Sequence, residues 1–115
     1  MTTRSAARAE FLTDVYTTAL EGGIGYWAEC SEYQWSTTQR AVIHDTADDA
    51  DRAHVITLDT IAHGLTAITT GRITLSDGHR RRITTADRTN DAADLDANDA
   101  DLIVQAALFG TITYG

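Results

Sequence analysis

The chain has 115 residues, a formal net charge of −8, 43% apolar residues and one cysteine. That is the length of one domain with a modest core, its apolar content excludes wholesale disorder, and its acidity disfavours general binding to phosphate backbones. No apolar run approaches the ~20 residues of a membrane span, the opening MTTRSAARAE holds no secretory hydrophobic region, and a lone Cys30 closes no internal disulfide, so a single cytoplasmic domain over 1–115 is expected. All nine basic residues are arginine, which with the many alanines, threonines and aspartates reads as the composition of a high-GC genome.

Ala7, Phe11, Val15 and Ala19 recur every four residues, flanked by Leu12, Tyr16 and Leu20, with Arg4, Arg8, Glu10 and Asp14 elsewhere on the wheel. This pattern predicts a helix over 4–21, stopped by Gly22 or Gly23 turning through positive φ. The stretch LEGGIGYWAECSEYQW follows, and 24–35 reads as a strand with Ile24, Tyr26, Ala28 and Cys30 on one side and Trp27, Tyr33 and Trp35 on the other. Apolar groups on both faces predict a central or doubly covered strand. A bulge near Glu29–Glu32 would change which aromatics share a face.

Ser36–Gln39 is a turn candidate, Arg40–Asp45 a return strand, 45–51 an acidic turn and His54–Leu58 a third strand. Short polar connections favour an antiparallel meander. Asp59 is the expected cap of the next helix, which carries Ile61, Leu65 and Ile68 on one face and closes at Gly71. Residues 72–90 admit two readings: a hairpin turning at Ser76-Asp77-Gly78, or a helix capped by Ser76. The helix is preferred, because Arg80–Arg82 leave little alternation for a strand. The acidic run 91–101 leads into a helix over 102–109, with Asp99 and Asp101 suited to its positive end and Gly110 as its stop. Residues 111–115 have the character of an edge strand. The expected fold class is α+β: a small, mainly antiparallel sheet of three or four strands packed against three or four helices.

EGGIGYWAE (21–29), Tyr33-Gln34-Trp35, Leu58-Asp59 and the closing ADLIVQAALFG…YG, in that order, resemble a group of small proteins encoded by actinobacterial phages, prophages and plasmids. The resemblance spans most of the chain. It implies a mobile-element accessory protein made in the host cytoplasm, and it brings no assigned activity and no catalytic residues.

Three patterns bear on chemistry. His79-Arg80-Arg81-Arg82 stands out against the acidic whole, and guanidinium forks bind phosphates and carboxylates, although on a helix the three arginines splay widely and can instead pair with the aspartates that follow. Tyr26, Trp27, Tyr33 and Trp35 either fill the core or an interface between subunits, or form a platform on which a base stacks. Asp94-Leu95-Asp96-Ala97-Asn98 imitates a calcium loop, but Asp99 stands where glycine is needed and Gln105 where a bidentate Glu is needed, so capping explains it better. His44, His54, His63 and His79 show no helical ligand spacing, Cys30 reads as a small buried hydrophobe, and Gly22, Gly23 and Gly25 lack the Lys-Ser/Thr of a phosphate loop. No metal, cofactor or catalytic residue is expected.

The leading expectation is a non-enzymatic protein that counters host defence by sequestering a phosphorylated nucleotide-type ligand. Trp27, Tyr33 or Trp35 would stack on the base, and Arg80, Arg81 and Arg82 would hold phosphate. The alternative is an acidic, nucleic-acid-mimic-like module that binds and inhibits a host protein through the aspartates of 45–51 and 87–101. A structural virion component is a third reading. Aromatics on both faces of one strand also suggest a homo-oligomer.

Overall fold

The computed structural model describes residues 5–34, 39–46 and 52–114. Trp35, positions 36–38 of the Ser36–Gln39 turn candidate and positions 47–51 of the acidic segment lie outside the described residues. Helix α1 (Ala6–Thr18) is capped by the Ser5 hydroxyl, which accepts from the Arg8 N–H, and it buries Phe11, Leu12, Val15 and Tyr16, the stripe expected from the sequence. It then widens into a π-turn over Ala19–Gly23. Gly22 and Gly23 do not take positive φ; among the described glycines only Gly71 and Gly110 do. Gly23 is needed for a different reason: a Cβ there would lie 2.8 Å from the Ala97 carbonyl oxygen, so the residue allows backbone to approach backbone.

Strand β1 (Ala28–Gln34) is shorter than the expected 24–35, because Ile24–Trp27 form a turn that places Tyr26 and Trp27 outside the ladder. It pairs antiparallel with β2 (Arg40–Asp45), which pairs antiparallel with β3 (Ala53–Thr57), giving the order β1-β2-β3. A bulge does fall between Cys30 and Glu32. β1 is therefore an edge strand rather than a central one, and it is largely exposed. Alternation along β2 buries Ala41, Ile43 and Asp45, while Val42 faces Glu32 and Val55 on the open side.

Helix α2 (Leu58–Thr69) is capped not by Asp59 but by Thr57, whose hydroxyl and that of Thr60 close a reciprocal capping box. α2 crosses α4 (Ala97–Phe109) at Gly64, where a Cβ would lie 2.1 Å from the Ile103 carbonyl oxygen, and a side chain there would drive the helices apart. Residues 72–90 resolve as helix α3 (Asp77–Thr89), with Ser76 as N-cap. α4 begins five residues earlier than the apolar run suggests, because Asp96 and Asp99 form a second capping box that extends it into the acidic segment. The expected C-terminal edge strand is absent among the described residues. The Gln105 side chain takes the place of a strand partner: its Oε1 accepts from the Thr113 and Tyr114 N–H groups at 2.8 Å each, and its Nε2 donates to the Tyr114 carbonyl at 3.1 Å. The result is an α+β fold of three antiparallel strands and four α-helices, and none of the described helices is long and apolar enough to cross a membrane.

Candidate functional site

The two ends of the acidic-to-apolar switch in α4 decide where polar chemistry gathers. Asp99, the third residue of the helix, has a fully buried carboxylate. Arg82 on α3 grips it in a fork, Nε to Oδ2 at 3.2 Å and Nη2 to Oδ1 at 3.0 Å, and His79 Nδ1 lies 2.8 Å from Oδ1. Burial pushes the Asp99 carboxyl up, but the hydrogen bonds from Arg82, His79 and the Asp96 N–H outweigh it and hold the group below its ordinary value. His79 Nδ1 also lies 2.8 Å from Arg82 Nη2, and the Asn98 amide nitrogen stands 3.5 Å from His79 Nε2. Arg82 Nη1 has no partner among the described residues.

His79 and Asn98 open onto a cleft of ≈ 270 Å³ whose other walls are Thr74, Leu75, Ser76, Leu102, Ile112 and Tyr114. Tyr114 stacks on Trp27 with centroids 5.1 Å apart and planes 16° from parallel, Phe109 meets both rings edge-on, and the Tyr114 hydroxyl donates to buried Asp45 at 2.6 Å. The cleft thus joins an aromatic and aliphatic wall to an imidazole and an amide held by a buried charge, the mixture small-molecule sites use.

The six positions singled out from the sequence do not converge. Trp27 is 1% exposed and donates from Nε1 to Asp101 Oδ1 at 2.7 Å; it backs the Tyr114 ring and offers no face of its own. Tyr33 is half-buried against Tyr16, with centroids 5.8 Å apart. Trp35 lies outside the described residues. Arg80 donates to the carbonyls of Ile68 and Ile73 at 2.7 and 2.5 Å, tying the end of α2 and its connection to α3. Arg82 belongs to the Asp99 knot, and Arg81 projects from the outer face of α3. Helical splay separates the three guanidinium groups because successive residues turn by about 100°.

The described aspartates of the alternative reading are also largely engaged within the fold: Asp87 pairs with Arg8 at 2.6 Å, Asp96 caps α4, and Asp101 accepts from Trp27, Tyr26 and Gln105. Sequence reasoning singled out His79 but missed Asn98, Asp99 and Tyr114 as members of one site. The Asp96–Asp99 spacing of a capping box was the available signal for Asp99; Tyr114 gave none, since its place depends on the Gln105 clasp. Among the described residues no group of three or more His, Cys, Asp or Glu side chains is placed to hold a metal ion. Comparison with protein-family profiles, with curated proteins and with solved structures finds no match to this chain.

Proposed function

We propose that the protein is a non-enzymatic binder that sequesters a small nucleotide-type ligand in the cleft between α3, α4 and the C-terminal segment. The observation that carries this reading is the buried Asp99 carboxylate, which orients His79 in the wall of a cleft that also holds the stacked Tyr114 ring. A planar base lies against Tyr114 and reads the donor and acceptor of the Asn98 amide. The anionic group sits toward His79. At ≈ 270 Å³ the cleft is just below the usual range of about 300–1,000 Å³ for small-molecule sites, which suits one ring with a short polar arm rather than a dinucleotide. The resemblance to proteins of actinobacterial mobile elements supports a role in the host cytoplasm, where removing such a ligand would counter a host defence.

Titration calorimetry against adenosine, linear and cyclic mononucleotides and inorganic phosphate tests the reading. Binding is expected at ~100 μM of at least one nucleotide, and is weakened at least ~10-fold by Asn98→Ala and His79→Gln. Absence of heat across the panel removes the cleft from consideration.

A further inference from the structure

The arginines of this acidic chain are not used evenly. Arg8, Arg40, Arg52, Arg72, Arg80 and Arg82 each have a partner within the fold, whereas Arg81 and Arg88 have none among the described residues. The two lie seven residues apart on the exposed side of α3, about 10 Å along its axis, and with Asp77, Arg80, Thr84 and Thr85 they line a shallow hollow of ≈ 500 Å³. Seventeen acidic residues are present against nine basic ones, so two arginines on one exposed helix face make a local positive strip in an acidic chain.

A surface of opposite sign adjoins it. Glu10 and Asp14, one turn apart on α1, line with Asp91 a groove of ≈ 560 Å³ whose walls also include Phe11, Thr17, Ala92 and Ala93. Glu10 and Asp14 have no partner among the described residues, and Asp91 uses one oxygen to accept from the Ala93 N–H. The small Ala92 and Ala93 side chains let an incoming guanidinium come close to the carboxylates. Arg81 of the first surface and Asp91 of the second, in the Asn90–Ala93 turn that follows α3, also line one hollow with Thr85, Thr89 and Asp94, so the two surfaces form one patch with a positive and a negative half.

We propose that this patch is a self-association surface: two copies pair about a two-fold axis near that turn, the Arg81–Arg88 strip of each seated in the Glu10–Asp14–Asp91 groove of the other. A patch with adjoining halves of opposite sign is self-complementary under a two-fold, which makes the contact closed rather than filament-forming. The occupant is a second copy because the fold supplies both charge partners itself. Net repulsion between copies at −8 each opposes the contact at low ionic strength. At ~0.1 M salt the Debye length is about 10 Å, so the distant charges are screened while groups in contact are not.

Sedimentation equilibrium at ~0.1 M salt and concentrations up to ~500 μM provides the test. The wild-type mass is expected to rise from 12.5 kDa toward twice that value. The double variants Arg81→Glu/Arg88→Glu and Glu10→Arg/Asp14→Arg, all at surface positions outside the core, are each expected to stay monomeric, and their equimolar mixture to form a one-to-one dimer. A wild type that remains monomeric throughout overturns the proposal. So do variants that dimerise like the wild type, or a mixture that fails to associate while circular dichroism shows both variants folded.

Discussion

Asp99 and Asp101 sit two residues apart on α4, both buried, yet they are stabilised in different ways. Asp99 is held by the charged Arg82 guanidinium and the His79 imidazole, at the edge of an open cleft. Asp101 is held by neutral donors: the Trp27 indole at 2.7 Å, the Tyr26 hydroxyl at 2.6 Å and the Gln105 amide at 3.0 Å. Neutral donors fix a geometry without supplying a charge that could serve a ligand, so the Asp101 cluster fastens the 24–27 turn and the C-terminal segment to α4. The Asp99 cluster positions groups that still have unused hydrogen-bonding capacity. The same side chain thus builds a strut at one position and a mount for exposed chemistry at the other.

Removing Asp101 should have the largest effect. Asp101→Ala leaves the Trp27, Tyr26 and Gln105 donors without their acceptor and is expected to destabilise the fold by about 3 kcal/mol, read from the urea midpoint. The Tyr26 phenol is pushed up to about 12 by burial and by the Asp101 carboxylate. In Asp101→Asn it should titrate nearer its ordinary value of about 10, and a phenol that ionises unchanged in that variant would break the distinction drawn here.

Asp99→Asn should cost about 2 kcal/mol near neutral pH, with a pH signature. Because the Asp99 carboxyl is held below its ordinary value, its contribution is fully present above the unfolded-chain value of about 3.9 and is lost as pH falls through the lower folded value. Wild type and variant should therefore differ above pH ~4 and converge below it. Parallel stability curves across that range would show that the charged grip on Asp99 contributes nothing.

The smallest effects separate adjacent arginines. Arg80→Ala removes two hydrogen bonds to carbonyls at the end of α2 and should cost about 1 kcal/mol, whereas Arg81→Ala, on the open face, should stay within ~0.5 kcal/mol. Equal losses at the two positions would mean that Arg81 has a structural partner after all.

Much of this fold was legible residue by residue. The α1 stripe, the β2–β3 hairpin, the Ser76 cap of α3 and the glycine stops at Gly71 and Gly110 follow from periodicity and capping chemistry, which act over a few residues. The site was legible only in fragments. His79 and the arginines drew notice as a run, but a run specifies sequence proximity, and helical geometry sends Arg80 to α2, Arg81 to solvent and Arg82 to α4. Trp27 looked like a strand residue because alternation is a weak guide beside a turn, and Tyr114 looked like a strand because the Gln105 side chain supplies backbone partners that no local pattern announces.

The sequence by itself determined the buried faces of α1 and α2, the antiparallel meander and the acidic balance, since apolar spacing, turn residues and formal charge are properties of short windows. Only the tertiary structure decided that two aspartates of a polar run are buried, that Gly23 and Gly64 serve close backbone approach, and that Tyr114 and His79 line one cleft. Those outcomes depend on which surfaces meet once α4 lies across α2 and beside α3. A carboxylate's burial, and hence its hydrogen bonds and charge state, is set by neighbours brought from as far as 75 residues away along the chain.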